Sequence, residues 1–264
     1  MKVIVLGSGT GCPSKERGSA GIYVEIGGRH LLFDAGPGSL RQLVRLGVSH
    51  LQLDRVYLTH FHPDHCLDVF AILFAMRHPY PPRTSPLLLA GPPGLKRLYA
   101  SVNRAFRRWF EPKTYRLTLK ELGERSVERL PDARLTVRPM RHTTTAFGYR
   151  LESRHGIIAY SGDTDVCDAV VELGRHADVL ILECSMPDAR KVAGHLTPSE
   201  CGRIAAASGC RHLALVHLNP IFQGNDIRAP IRRHFKGRLT IARDGQQLYP
   251  LRAPFRTEVR LSKE

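Results

Sequence analysis

Four potential metal ligands fall within six residues, His60-Phe61-His62-Pro63-Asp64-His65, directly after the apolar run Val56-Tyr57-Leu58-Thr59. Such a run calls for a strand that ends in a polar loop and turns into a helix at Pro63, since proline suits the first helical position. His60 and His62 are two apart and share one side of an extended chain, while Asp64 and His65 follow where the helix begins. Imidazole nitrogen and carboxylate oxygen together suit Zn²⁺, with Mn²⁺ or Fe²⁺ as alternatives, and two adjacent ions need roughly seven such ligands. The competing explanation is a polar loop whose histidines only satisfy local hydrogen bonds. Three histidines and an aspartate in so short a run count against it.

Around this cluster, short runs rich in Val, Ile, Leu and Tyr predict strands at 2–6, 20–26, 30–34, 55–59 and 86–90, then at 133–139, 147–152, 156–160, 178–183, 213–216, 238–242 and 246–249. Helix-length segments lie at 37–46, 64–77, 93–110, 165–174, 197–208 and 225–235, the fifth opened by the cap signal Thr197-Pro198-Ser199-Glu200. Strands first meander and then alternate with helices in both halves. That order predicts an α/β architecture of two packed sheets with helices outside, a four-layer αββα sandwich. At 264 residues and 42% hydrophobic content the expectation is one domain spanning 1–264, with the proline-rich stretch Arg77–Ser85 a surface loop.

The six cysteines form no C-x-x-C pair and several lie in apolar segments, so they are expected to be reduced core residues of a cytoplasmic protein. The first apolar run is too short for a signal peptide, and no run approaches the length of a membrane span. Lys plus Arg number 39 against 24 for Asp plus Glu, a formal charge of +15. This excess favours an anionic partner such as nucleic acid or a phosphate ester, with general solubility as the plainer explanation.

The H-x-H-x-D-H run resembles the signature of the metallo-β-lactamase superfamily. That family's pattern continues with an Asp after an earlier strand, a lone His, an Asp beside a Gly and a last His after a strand. Asp34 in Leu31-Leu32-Phe33-Asp34-Ala35-Gly36, His142 in Arg141-His142-Thr143, Asp163 in Ser161-Gly162-Asp163-Thr164 and His217 in Leu215-Val216-His217 match in order. The resemblance implies the fold expected above and two divalent metal ions, zinc by preference. His60, His62 and His142 would hold one, Asp64, His65 and His217 the other, with Asp163 bridging and Asp34 orienting a ligand histidine. His30, His50, His78, His155, His176, His212 and His234 match no motif and are expected to be surface or core residues.

Two further segments are similar to ribonuclease Z. Gly7 to Arg17 contains Pro13-Ser14-Lys15-Glu16-Arg17, like that family's P-x-K-x-R stretch implicated in handling RNA, although a glycine-rich turn after a first strand is also an ordinary structural device. Gly194-His195-Leu196-Thr197, with Glu183 upstream, resembles its His-x-Thr motif. By that match His195 is the general acid or phosphate clamp, Glu183 its partner, and Asp64 both ligand and acceptor for the attacking hydroxide. The resemblance implies a phosphodiesterase acting on an RNA end, a cyclic nucleotide or another small phosphodiester through a metal-bridging hydroxide, and a homodimer, as is common in the family. Ester, lactone or thioester hydrolysis and tRNA 3′ processing are the alternatives, and a basic nucleic-acid-binding module is the non-catalytic one.

The sequence departs from ribonuclease Z in two places. Only 21 positions separate His142 from Asp163, enough for two strands but not for the long tRNA-gripping arm that the bacterial family carries there, and His217 is followed by Leu218-Asn219-Pro220 rather than a Ser-x-Arg sequence. Within 96–141, Lys96, Arg97, Arg104, Arg107, Arg108, Lys113, Arg116 and Lys120 surround Phe106, Trp109 and Phe110, a composition able to bind phosphates and stack bases. The three aromatics also have the spacing of a buried helical stripe, which is the preferred reading of them.

Overall fold

The structure, a computed structural model, describes residues 1–222 and 226–250. Its strands are β1 (Lys2–Gly7), β2 (Gly21–Ile26), β3 (Arg29–Phe33), β4 (Arg55–Tyr57), β5 (Leu87–Gly91), β6 (Leu117–Glu121), β7 (Val127–Leu130), β8 (Ala133–Pro139), β9 (Phe147–Ser153), β10 (Gly156–Tyr160), β11 (Val179–Glu183), β12 (His212–Val216), β13 (Arg238–Ile241) and β14 (Gln247–Leu248). The helices are α1 (Ser39–Arg45), α2 (Pro63–Cys66), α3 (Asp68–Met76), α4 (Leu95–Ala105), α5 (Asp168–Gly174), α6 (Pro198–Ser208) and α7 (Arg228–Arg232).

Two seven-stranded sheets result, in the orders β14-β1-β2-β3-β4-β5-β6 and β13-β12-β11-β10-β9-β8-β7. Each is antiparallel over one half and parallel over the other: β3 to β6 in the first, β10 to β13 in the second. Strand periodicity places alternate side chains in different layers. Val3 and Val5 of β1 and Val179 and Ile181 of β11 face the layer between the sheets, with Phe33, Tyr57 and Tyr149. Ile4 and Leu6 point instead to the outer layer with α1, α3 and α4, and Leu180 and Leu182 to the one with α5 and α6. Covered on both faces, these strands read as continuous apolar runs. The expected αββα sandwich is the observed one.

Several local expectations need correction. Strands β6 and β7, absent from the sequence reading, lie at the sheet edges; Leu117-Thr118-Leu119-Lys120-Glu121 and Val127-Glu128-Arg129-Leu130 are half exposed and too polar to stand out as core. The helix expected over 93–110 stops at Ala105, because Arg107 and Arg108 adopt positive φ (49° and 64°) and Asn103 Oδ1 accepts the Phe110 N–H at 3.1 Å, closing the turn. The buried-stripe reading fails with it: Phe110 is buried, but Phe106 and Trp109 are 57% and 52% exposed. The segment 64–77 is two helices, α2 and α3, separated at Leu67. Of the helix expected at 225–235, Asn225 lies outside the described residues and the helix itself is Arg228–Arg232. Residues 251–264 of the expected domain also lie outside them.

Candidate metal centre

The chemistry-bearing residues sit where strands end. Asp34 follows β3, His60 and His62 follow β4, Asp64 and His65 lie on α2, His142 follows β8, Asp163 follows β10, Glu183 closes β11 and His217 follows β12. In sheets with parallel strands the carboxyl ends are where loops converge on a ligand. Asp34 and His217 both hold φ near +56°, unusual for residues other than glycine, so the surrounding structure fixes them in place.

Ligand atoms of His60, His62, His142 and Asp163 form one group lying within 4.8 Å of one another, and those of Asp64, His65 and His217 form another. Asp163 stands between them. Its Oδ2 is 3.8 Å from His60 Nε2, 3.7 Å from His142 Nε2 and 3.5 Å from His217 Nε2, while its Oδ1 is 3.3 Å from His65 Nε2. Asp64 Oδ2 lies 3.3 Å from His217 Nε2 and 3.8 Å from His65 Nε2. All seven residues expected as ligands are thus brought to one place. Three of the facing atoms, His60 Nε2, His65 Nε2 and Asp163 Oδ1, are buried without a hydrogen-bond partner. Leaving such groups unpaired costs about 1–3 kcal/mol each, so a cluster of them aimed at one another is a donor set for a divalent cation.

The far sides of the rings are held. Asp34, fully buried, accepts from His65 Nδ1 at 2.8 Å, from the Thr59 N–H at 2.8 Å, from the Thr59 hydroxyl and from the Tyr160 hydroxyl at 2.8 Å. The Gly194 carbonyl accepts from His142 Nδ1 at 2.9 Å, and Ser185 Oγ lies 2.7 Å from His217 Nδ1. Each contact fixes the tautomer that turns Nε2 inward. Glu183, also buried, gives one oxygen to His195 Nδ1 (2.9 Å) and the Thr164 N–H (3.0 Å), and the other to the Ser185 hydroxyl (2.7 Å) and N–H (3.1 Å). The expected pairing of Glu183 with His195 is present, and through Ser185 the same carboxylate also braces His217. Thr59, Tyr160, Ser185 and Gly194 have no role assigned from the sequence, although Ser185 stands two residues beyond Glu183 and Gly194 opens the motif that contains His195.

The electrostatics follow the geometry. Burial, with the His65 charge beside it, drives His60 down to about 2, so its ring is neutral and free to donate a lone pair. Burial opposes a charge on His65, but Asp163 and Asp34 outweigh it and raise the group well above its ordinary value. Burial likewise opposes ionisation of Asp163 and Asp64. The surrounding histidines prevail, holding Asp163 well below the usual carboxylate range and Asp64 at about 2. At His195 burial is again the largest influence, yet the Glu183 contact overcomes it and the net shift is upward.

Beside the cluster opens a cavity of about 340 Å³ bounded by Thr10, Gly11, Cys12, Met186, Val192 and Asn219, into which His62, Asp64, Asp163, His195 and His217 also face. His195 Nδ1 is 3.9 Å from Asp163 Oδ2, and its ring stacks 5.7 Å from that of His217. In the Lys15–Arg17 stretch the two cations have different surroundings. Arg17 is tied within the chain to Ser8 Oγ (2.7 Å) and the Ala242 carbonyl (2.5 Å), leaving Lys15 as the exposed cation of the pair.

Residues 29–218 match the family profile described as Beta-lactamase superfamily domain. Among curated relatives, the ribonuclease Z of Methanothermobacter thermautotrophicus is 25% identical, with 86% of this chain and 89% of that protein covered, and that of Streptomyces avermitilis is 28% identical over 92% and 95%. Among solved structures, the metallo-beta-lactamase fold protein YhfI from Bacillus subtilis superposes with a TM-score of 0.82 at 25% identity, covering 94% of this chain and 98% of that one. The short form of human tRNase Z (ELAC1) gives 0.77 at 21%, covering 95% and 100%.

Proposed function

The chain belongs to the beta-lactamase superfamily, and from that membership we propose that it is a metal-dependent phosphodiesterase of the ribonuclease Z type, acting on an RNA end, a cyclic nucleotide or another small phosphodiester. The observation that carries this reading is His195, held by Glu183 at 2.9 Å and set beside the ligand cluster with no place among the seven ligands. A lone acid there suits a reaction whose leaving oxygen needs a proton.

The orphaned atoms of His60, His65 and Asp163 support two divalent ions, zinc by preference: His60, His62 and His142 around one, Asp64, His65 and His217 around the other, and Asp163 between. Such a pair supplies a hydroxide from water near neutral pH and neutralises phosphoryl oxygens. Asp64 orients the attacking oxygen by accepting its hydrogen bond. His195 donates its proton to the leaving alkoxide and regains one from solvent through the open cavity, while Glu183 keeps the ring upright and raises its basicity. Met186 and Val192 give the cavity an apolar wall.

Between His142 and Asp163 the only regular elements are β9 and β10, joined by the two-residue turn 154–155, with residues 143–146 and 161–162 as the short connections at either end. The alignment with the Methanothermobacter relative runs over 279 positions, more than the 264 of this chain, so that relative carries residues with no counterpart here. These facts favour substrates smaller than precursor tRNA. Free cysteines throughout support the cytoplasm as compartment, and no described helix is long and apolar enough to cross a membrane. For the homodimer, the support is the exposure of large apolar side chains, Val44 on α1, Leu67 between α2 and α3, and Phe74 on α3, at 61%, 50% and 53%.

The test is a panel of bis(p-nitrophenyl) phosphate, cyclic nucleotides, dinucleotides, precursor tRNA and lactones, run with zinc and with manganese. Phosphodiester cleavage that collapses in His195→Ala is expected. A protein that holds two metals yet cleaves lactones and no phosphodiester would overturn the reading.

A further inference from the structure

His195 rides on a loop, residues 185–197 between β11 and α6, whose regular structure among these residues is a single 3-10 turn, Asp188–Arg190. A proton donor must nevertheless be held to a fraction of an ångström to be effective. Glu183 fixes the ring; the backbone that carries it needs a hold of its own, and Lys191 is placed to supply it.

An ammonium group has three N–H donors. Those of Lys191 meet Asp165 Oδ1 at 2.7 Å, Glu200 Oε2 at 2.6 Å and the His195 carbonyl at 2.5 Å. The three acceptors belong to three different parts of the fold. Asp165 follows Asp163 by two residues, and its own N–H is anchored on the Arg141 carbonyl at 2.7 Å. Glu200 sits in the first turn of α6, where it also accepts the Thr197 N–H at 2.9 Å and completes the capping box. His195 is the site residue itself. The second oxygen of Asp165 accepts the Gly194 N–H at 3.0 Å, and Gly194 is the residue whose carbonyl orients His142 Nδ1.

One ammonium therefore links the backbone of His195, the peptide that orients His142, the loop bearing Asp163 and the start of α6. None of Lys191, Asp165 and Glu200 belongs to the groups of facing ligand atoms. We propose that Lys191 is a positioning residue, whose ammonium locks the 185–197 loop onto Asp165 and Glu200 so that His195 faces the leaving oxygen and His142 presents Nε2 to the metal cluster. The part concerning His195 rests on the phosphodiesterase reading; the part concerning His142 does not.

The test compares full-length wild type, Lys191→Met and Lys191→Arg. In calorimetric titration with zinc, Lys191→Met should lose about ten-fold in affinity at one site, the lower end of what losing the support of a ligand histidine costs. In turnover, its kcat should fall about ten-fold further on a dinucleotide, whose alkoxide needs a proton to leave, than on bis(p-nitrophenyl) phosphate, with KM within about three-fold of wild type. Lys191→Arg, which keeps a charged multiple donor, should recover most of both losses. Should Lys191→Met fail to fold, Glu200→Gln removes one charged acceptor and carries the same comparison. Unchanged zinc affinity, or an equal loss on both substrates without recovery by arginine, overturns the proposal. If wild type cleaves neither phosphodiester, the phosphodiesterase reading fails, and the zinc titration alone still decides whether Lys191 positions His142.

Discussion

Replacing Asp34 with asparagine tests the metal centre without involving any substrate. The carboxylate is completely buried and accepts four donors, the Thr59 N–H at one oxygen, His65 Nδ1 and the Tyr160 hydroxyl at the other, and the Thr59 hydroxyl within reach of both. Asparagine keeps the shape and tolerates the φ of 56°, so the backbone has no reason to move. What changes is that one terminal atom becomes a donor. With its oxygen toward His65, the new NH₂ confronts the Thr59 N–H, which cannot turn away; reversed, it confronts His65 Nδ1–H and breaks the tautomer that points Nε2 at the metal. In the better orientation the bond to His65 survives but loses its charge. A hydrogen bond to a charged group contributes about 1.5–3 kcal/mol and a neutral one about half of that, so the loss is about 0.8–1.5 kcal/mol, or about four- to twelve-fold in metal affinity. Competition against a chromophoric chelator at neutral pH measures it. Tyr160→Phe, which removes one donor and no charge, should stay within about three-fold of wild type. If Asp34→Asn binds zinc as tightly as wild type, or Tyr160→Phe weakens binding as much, then Asp34 is not what orients His65.

Three other outcomes are expected. Glu183→Gln cannot accept from all four of its donors, so cleavage of alkyl phosphodiesters should fall at least about 100-fold, and a decrease below about three-fold would remove Glu183 from the mechanism. Zinc binding at neutral pH should release protons, because Asp163 and Asp34 favour the charged form of His65, whose Nε2 must be bare to bind; calorimetric heats that do not vary with the ionisation enthalpy of the buffer would contradict this. Far from the site, burial and the Arg238 charge pull His212 from 6.5 to about 4, so its folded value lies below its unfolded one. Its contribution is complete above pH 6.5 and is lost as the pH falls toward 4, a change of about 2 kcal/mol that urea melts of wild type should show and His212→Leu should lack.

What could be read from the sequence and what could not divide along physical lines. Strands covered on both faces, such as Val179-Leu180-Ile181-Leu182, must be apolar throughout and stood out at once. The edge strands β6 and β7 satisfy only one neighbour and carry Lys120, Glu121, Glu128 and Arg129, so nothing in their composition marked them. The end of α4 was missed because a helical spacing of aromatics says nothing about Arg107 and Arg108 leaving the helical region, and that turn is what exposes Phe106 and Trp109.

The candidate site divides in the same way. Ligand positions admit few residue types, since imidazole and carboxylate are what a divalent ion accepts there, so the dense run of His60, His62, Asp64 and His65 stands out by type, and His142, Asp163 and His217 become candidates through the ordered match to the family pattern. The residues behind them face a looser demand: each ring Nδ1 needs some acceptor, and a carboxylate (Asp34), a hydroxyl (Ser185) or a backbone carbonyl (Gly194) meets it equally well. Such a choice leaves no pattern in one sequence. It is nevertheless where this chain acquires its particular geometry, because Glu183 braces His195 directly and His217 through Ser185, while Asp165 reaches His142 through Gly194. His195, the proposed proton donor, and one candidate ligand of each proposed metal are therefore held by a single connected set of hydrogen bonds, closed at its outer edge by Lys191. A substitution in that set should disturb metal affinity and proton donation together, whereas one at Asp34 should disturb metal affinity alone.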